Sequence, residues 1–132
     1  EGCQYEDSMR LYFKDALNID LTKIVDTEFY YFVPLESCEN CIYETLLAIS
    51  QLDGQKLTVV LVGNNFHSEW DSLLSVVKFK HKILSDSNKI IYQYESELGK
   101  PLLFTIHNGN CHRSRTFSEQ QLPELAEELK NL

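Results

Sequence analysis

The chain has 132 residues and a mass of 15.4 kDa, enough for one compact domain and too little for two. With 20 acidic against 12 basic residues the net charge is −8, so the surface repels phosphate and a nucleic-acid partner is disfavoured. A hydrophobic fraction of 43% and a charged fraction of 24% are ordinary globular usage, and the longest strongly apolar run, Leu57 to Val62, is too short to cross a bilayer.

The chain opens at Glu1 without a methionine, which points to an upstream segment removed either by processing or by the choice of the expressed segment. Met9, Tyr12, Phe13, Ala16 and Leu17 recur at helical intervals and Asn18-Ile19-Asp20 reads as a stop, so one short helix is predicted here. Residues 1–27 are read as an N-terminal extension, either a tether to a membrane anchor or an added strand covering a sheet edge; residues 28–132 form the domain proper. Phe29-Tyr30-Tyr31-Phe32-Val33 is an unbroken aromatic and β-branched run, as expected of a strand covered on both faces, and Pro34 ends it.

Ile42, Leu46 and Ile49, with Ala48 and Leu52, form the apolar stripe of a helix stopped by Gly54. Leu57 to Val62 reads as a second buried strand, closed by Gly63-Asn64-Asn65, and Glu69 to Phe79 as a helix with Trp70, Leu73, Leu74 and Val77 at core spacing. Lys82 to Ser85 is a short strand and Lys89 to Leu98 a further helix with Ile90, Ile91 and Tyr94 inward. Leu102 to Ile106 and Cys111 to Phe117 are strands joined by the hairpin signal His107-Asn108-Gly109-Asn110. Ser118 with Gln121 has the form of a capping box for a last helix, with Pro123 early in it and Leu122, Leu125, Ala126 and Leu129 as its stripe. Strands alternating with helices, followed by a hairpin, predict an α/β fold with a mixed central sheet, helices on both faces, and a C-terminal hairpin plus helix.

Cys38-Glu39-Asn40-Cys41 falls between the first strong strand and the amphipathic helix. A thiol at a helix N-terminus faces unpaired backbone N–H groups and the positive end of the dipole, both of which stabilise a thiolate. Cys41 lies within one turn of Cys38, close enough for a disulfide, so the pair suits reversible dithiol exchange: Cys38 attacks a substrate disulfide and Cys41 resolves the mixed disulfide. Zinc sites use the same spacing, and Cys111-His112 would complete a ligand set; against this, Cys111 is expected on an edge strand far from Cys38, as a half-buried thiol.

The run Phe29 to Cys41, the helix after it, Lys56-Leu57-Thr58-Val59-Val60, and the segment Gly99-Lys100-Pro101-Leu102 to Gly109 together resemble thioredoxin. The 63 residues separating Cys38 from Pro101, and Ser85-Asp86-Ser87-Asn88-Lys89 before a helix, resemble the extracytoplasmic TlpA and ResA branch, which inserts an extra helix and strand. The resemblance covers residues 28–132 and implies a thioredoxin-like, extracytoplasmic thiol-disulfide oxidoreductase, periplasmic or membrane-anchored facing the periplasm. It implies that Pro101 is cis and faces the dithiol, with Lys100 presenting backbone groups to the substrate; Ser37, Glu39, Asn40, Lys100 and Pro101 then form the substrate-binding edge. Partners would be disulfide or dithiol proteins and a membrane reductant or oxidant, with a membrane tether through the removed segment or a lipidated Cys3. No cofactor is required, because the dithiol carries the electrons.

Several positions depart from the family pattern. Ser37 replaces a common aromatic residue, Asn40 a frequent proline, Phe32 a buried acid, and Asn64-Asn65 lie near a glutamate of the ResA type. The Lys100 ammonium would favour the Cys38 thiolate, opposed by the more exposed Glu36 and Glu39. These departures keep alive a non-catalytic binding module whose Cys38–Cys41 disulfide is a structural staple. A thiol peroxidase would want a threonine shortly before the reactive cysteine, where this chain has Leu35-Glu36-Ser37. Cys3 is lipidated, paired with Cys111, or a loose terminal thiol. His67, His81 and His107 read as solvated surface, and Trp70 and Tyr92-Gln93-Tyr94 as core.

Overall fold

A computed structural model describes residues 6–53, 56–94, 99–116, 121, 123–125 and 127. The elements are α1 (Glu6–Ala16), β1 (Thr27–Pro34), α2 (Glu39–Ser50), β2 (Leu57–Val62), α3 (Asp71–Lys80), β3 (Lys82–Asp86), β4 (Leu102–His107) and β5 (Asn110–Thr116). Short 3-10 turns occupy Leu21–Lys23, Ser68–Trp70 and Ile90–Gln93. They assemble one five-stranded sheet in the order β3-β2-β1-β4-β5, with β1 central. β1 runs parallel to β2, and β2 to β3, through the helical crossovers α2 and α3; β4 and β5 are antiparallel additions on the other side. The mixed α/β sheet expected from the element order is therefore present.

The two faces of the sheet sort by the strand period of two. Phe29, Tyr31 and Val33 of β1 point to a core shared with Ile42, Leu46 and Ile49 of α2, Trp70, Val77 of α3, and Leu125. Tyr30 and Phe32 point to the opposite core, built with Met9, Tyr12 and Phe13 of α1, Leu21 and Ile91. This is why β1 reads as a continuous apolar run: from Phe29 to Pro34 every residue is buried. The predicted N-terminal helix forms and lies on the sheet face, with Met9, Tyr12 and Phe13 almost wholly buried. Its end is a turn with Asn18 at φ 58°, where the Ile19 N–H reaches back to the Phe13 carbonyl at 2.9 Å. The aromatic packing around Phe13, edge-on to Tyr30 at 4.8 Å and stacked on Phe104 at 5.6 Å, ties α1 to β1 and β4.

Three expectations change. The helix predicted from Lys89 to Leu98 is a 3-10 turn over Ile90–Gln93, because Lys89 adopts a left-handed conformation (φ 57°) and the Asp86 carboxylate takes the Ile90 and Ile91 amides at 2.9 Å each; residues 95–98 lie outside the described residues. His81 is buried, with Nε2 3.1 Å from the Leu52 carbonyl, and so belongs to the join between α2 and α3 rather than to solvated surface. Cys111 is disulfide-bonded, not a thiol, which removes it from a zinc set with Cys38 and Cys41. The hairpin forms as expected, with Asn108 and Gly109 at φ 53° and 80°. The expectations for Cys3, Gly54, Ser118, Leu122, Ala126 and Leu129 lie outside the described residues; Pro123, Glu124, Leu125 and Glu127 are helical.

Burial raises the hydroxyl pKa of Tyr12, Tyr30 and Tyr31 well above the ordinary value, and the neighbouring Asp86 and Glu28 carboxylates add to this for Tyr12 and Tyr30. The folded state thus holds protons that the unfolded chain releases near pH ~10, so stability is intact below that pH and falls as pH rises above it. In an alkaline spectrophotometric titration these three of the seven tyrosines are expected to ionise together, only as the chain unfolds. Stepwise ionisation without unfolding would contradict their burial.

Candidate active site

β1 delivers the chain to the end of the sheet, and a turn over Leu35 to Ser37 leads into α2. Leu35 is pinned by its N–H to the Val62 carbonyl at 2.9 Å, and the Ser37 N–H reaches the Pro34 carbonyl at 3.2 Å. Cys38 then caps α2 from an extended conformation (φ −61°, ψ 138°), its Sγ accepting the Cys41 N–H at 3.0 Å. Sulfur here replaces the oxygen that usually caps a helix, so α2 begins on a sulfur of the disulfide itself. Cys38 and Cys41 form a disulfide with Cα atoms 5.2 Å apart; Cys38 is exposed and Cys41 half-buried. When the pair is reduced, the same amide and the helix dipole stabilise a Cys38 thiolate.

Two sets of charges flank the pair. On one side Lys89 Nζ donates to Glu36 Oε2 at 2.8 Å, an ion pair that ties the turn before Cys38 to the segment after β3 and holds the Lys89 pKa above its usual value. On the other, Glu39 Oε1 lies 3.5 Å from His67 Nδ1, while Glu69 is close enough to Glu39 that a protonated Glu69 carboxyl donates to it; that hydrogen bond and the repulsion between the two acids raise the Glu69 pKa. The His67 ring packs on Trp70 at 4.7 Å between centroids. Glu39, Asn40, Tyr43 and Glu69 line an open groove beside the disulfide.

Of the residues singled out in the sequence, Ser37 is half-buried and Glu39 and Asn40 are exposed around Cys38. Lys100 is exposed and Pro101 half-buried. The last β1–β4 pair, Phe32 with Leu102, puts the Lys100-Pro101 approach at the end of the sheet from which β1 runs on to Cys38. Pro101 is not cis: there is no cis peptide bond among the described residues. Phe32 is fully buried in the α1-side core, so no carboxylate stands on β1 behind the disulfide. Lys89, His67 and Glu69 were not singled out as site residues from the sequence. Their contacts depend on the left-handed Lys89 and on a 3-10 turn ahead of α3, neither of which leaves a periodic signal.

No protein-family model and no curated protein sequence matches the chain. Solved structures do. A secreted Mycobacterium tuberculosis disulfide oxidoreductase homologous to E. coli DsbE is similar with a TM-score of 0.56 at 13% identity, over 81% of this chain and 82% of that one. StoA from Bacillus subtilis aligns with a TM-score of 0.46 at 13% identity, over 80% of this chain and 86% of that one. A peroxiredoxin-like protein from Aquifex aeolicus aligns with a TM-score of 0.49 at 13% identity, over 82% and 72%. The fold of this chain is thioredoxin-like, with a disulfide-bonded Cys38–Cys41 pair at the start of α2.

Proposed function

We propose that the chain is a thiol-disulfide oxidoreductase that exchanges disulfides with protein substrates outside the cytoplasm. The observation that carries this reading is the exposed Cys38 capping α2 with its Sγ on the Cys41 amide, bonded to a less exposed cysteine one turn along. In the reducing direction the Cys38 thiolate attacks one sulfur of a substrate disulfide. The substrate S–S bond breaks, its leaving sulfur departs with the electron pair and takes a proton from water, and Cys38 is left in a mixed disulfide. Cys41, deprotonated by solvent, then attacks Cys38 Sγ, forms the intramolecular disulfide and expels the second substrate thiolate. Two electrons pass from the dithiol to the substrate, and the reverse sequence oxidises a substrate dithiol. A separate membrane reductant or oxidant restores the starting state, and no cofactor takes part.

Ser37, Glu39 and Asn40 surround the reacting sulfur, and the Lys100-Pro101 edge supplies the docking strand, with the Lys100 charge favouring the thiolate. An extracytoplasmic setting is supported by the additional disulfide at Cys111, since such bonds persist in oxidising compartments. No described helix is long and apolar enough to cross a membrane.

The test is the redox equilibrium of the Cys38–Cys41 pair in glutathione buffers, read by alkylation and mass spectrometry of that peptide in the intact chain. A reversible couple between about −300 and −120 mV is expected of an exchange catalyst. A pair that stays oxidised far below that range is a staple, and the chain is then a binding module.

A further inference from the structure

Glu36 stands in the turn between β1 and α2, two residues before Cys38. A carboxylate so close in the chain disfavours a thiolate at Cys38. The Glu36 side chain lies across Gly63 at the end of β2, where a Cβ on Gly63 would sit 3.8 Å from its Cγ and Oε2. There it meets Lys89, whose Nζ donates to Oε2 at 2.8 Å from a turn 53 residues along the chain. The Asp86 carbonyl accepts the Gly63 N–H at 2.9 Å and the Lys89 N–H at 3.1 Å, so one atom clamps the end of β2 to the turn that carries Lys89. Lys89 itself is left-handed (φ 57°, ψ 41°), a conformation that Gly or Asn holds readily and lysine does not.

Stability does not account for a lysine here. The Lys89 and Glu36 side chains are 40% and 49% exposed, and an ion pair so open to water contributes little to folding. Asparagine would suit the backbone better. What the ammonium does at this place is cancel the charge of the acid that leads into the dithiol. The other charged groups around Cys38 come from other directions: Glu39 with His67 on the α2 side, Glu69 across the groove from Glu39, and Lys100 from the approach to β4.

Resting on the exchange reading above, we propose that Lys89 is a positioning residue of the dithiol: by holding Glu36 over Gly63 and neutralising it, Lys89 keeps the Cys38–Cys41 disulfide more oxidising. Without the ammonium, the Glu36 carboxylate repels the Cys38 thiolate, the reduced form loses stability and the disulfide is harder to reduce. Without the carboxylate, the ammonium alone favours the thiolate and the disulfide is easier to reduce. With neither charge the two effects cancel.

The experiment equilibrates the native chain, Lys89→Asn, Lys89→Arg, Glu36→Gln and the double variant Glu36→Gln with Lys89→Asn in glutathione buffers, and reads the oxidised fraction of the Cys38–Cys41 peptide. The equilibrium constant for forming the disulfide is expected to rise about threefold in Lys89→Asn, a potential about 14 mV more negative for a two-electron couple. It is expected to stay native in Lys89→Arg, to fall by a similar factor in Glu36→Gln, and to return to the native value in the double variant. The thermal midpoint of Lys89→Asn is expected to hold or rise, because asparagine relieves the left-handed backbone, and this separates a changed potential from lost structure. An equal constant in the native chain and Lys89→Asn, whatever the midpoint, overturns the assignment while exchange itself stands. A double variant that keeps the whole Lys89→Asn shift overturns the role through Glu36. A native pair that stays oxidised in every glutathione buffer overturns the exchange reading and this one with it.

Discussion

Cys38→Ser is expected to abolish disulfide exchange, lowering the rate by about a thousandfold or more, while Cys41→Ser preserves attack and stalls as a mixed disulfide. The asymmetry follows from exposure and position. Cys38 is exposed and holds the cap of α2, where its sulfur faces the Cys41 amide at 3.0 Å. Cys41 is half-buried inside the first turn, where its own N–H is committed to Cys38. On the exchange reading proposed above, an incoming disulfide meets Cys38, and Cys41 attacks the sulfur that has just reacted. The measurement is reduction of a protein disulfide by the pre-reduced chain, with non-reducing electrophoresis and mass spectrometry to capture the covalent intermediate. Trapping through Cys41 in the Cys38→Ser chain, and none through Cys38 in the Cys41→Ser chain, would reverse the roles.

The elements that were legible in the sequence are those whose burial has a period. β2 was delimited at Leu57 and Val62 because both faces of that strand are covered, leaving no polar interruption. The hairpin was legible because Asn108-Gly109 is a pair that tolerates two consecutive positive φ values. The dithiol was legible because its spacing and its place between strand and helix are local facts. What escaped was governed by contacts distant in sequence. The 3-10 turn at Ile90–Gln93 carries the apolar residues of a helix, but Asp86 caps its amides so tightly that the left-handed Lys89 starts a turn instead. The implied cis bond before Pro101 came from resemblance alone, and no local feature of Gly99-Lys100-Pro101 required it. The charges around Cys38 were only partly visible: Glu36 and Glu39 are sequence neighbours of the cysteine, whereas Lys89 and Glu69 reach it only through the fold.

Asp86→Ala is expected to destabilise the chain by about 3–5 kcal/mol, a large share of a typical ~5–15 kcal/mol. Asp86 is 5% exposed at the end of β3, and its carboxylate accepts the Ile90 and Ile91 amides and the Tyr12 hydroxyl, each at 2.9 Å. One side chain thus joins α1, the edge strand β3 and the 3-10 turn that carries Lys89 to Glu36 beside the site. Alanine leaves the buried Tyr12 hydroxyl and the Ile91 amide without that acceptor, and an unmatched buried donor costs about 1–3 kcal/mol. Tyr12→Phe removes one donor and leaves the carboxylate its two amides, so a smaller loss of about 1 kcal/mol is expected. Asp86→Asn falls between them, because one amide oxygen remains while its nitrogen faces the Ile91 N–H. Urea unfolding resolves the order as shifts in midpoint at constant slope. Equal midpoints for Asp86→Ala and Tyr12→Phe would mean that the two backbone amides draw nothing from Asp86, and that the turn holding Lys89 stands without it.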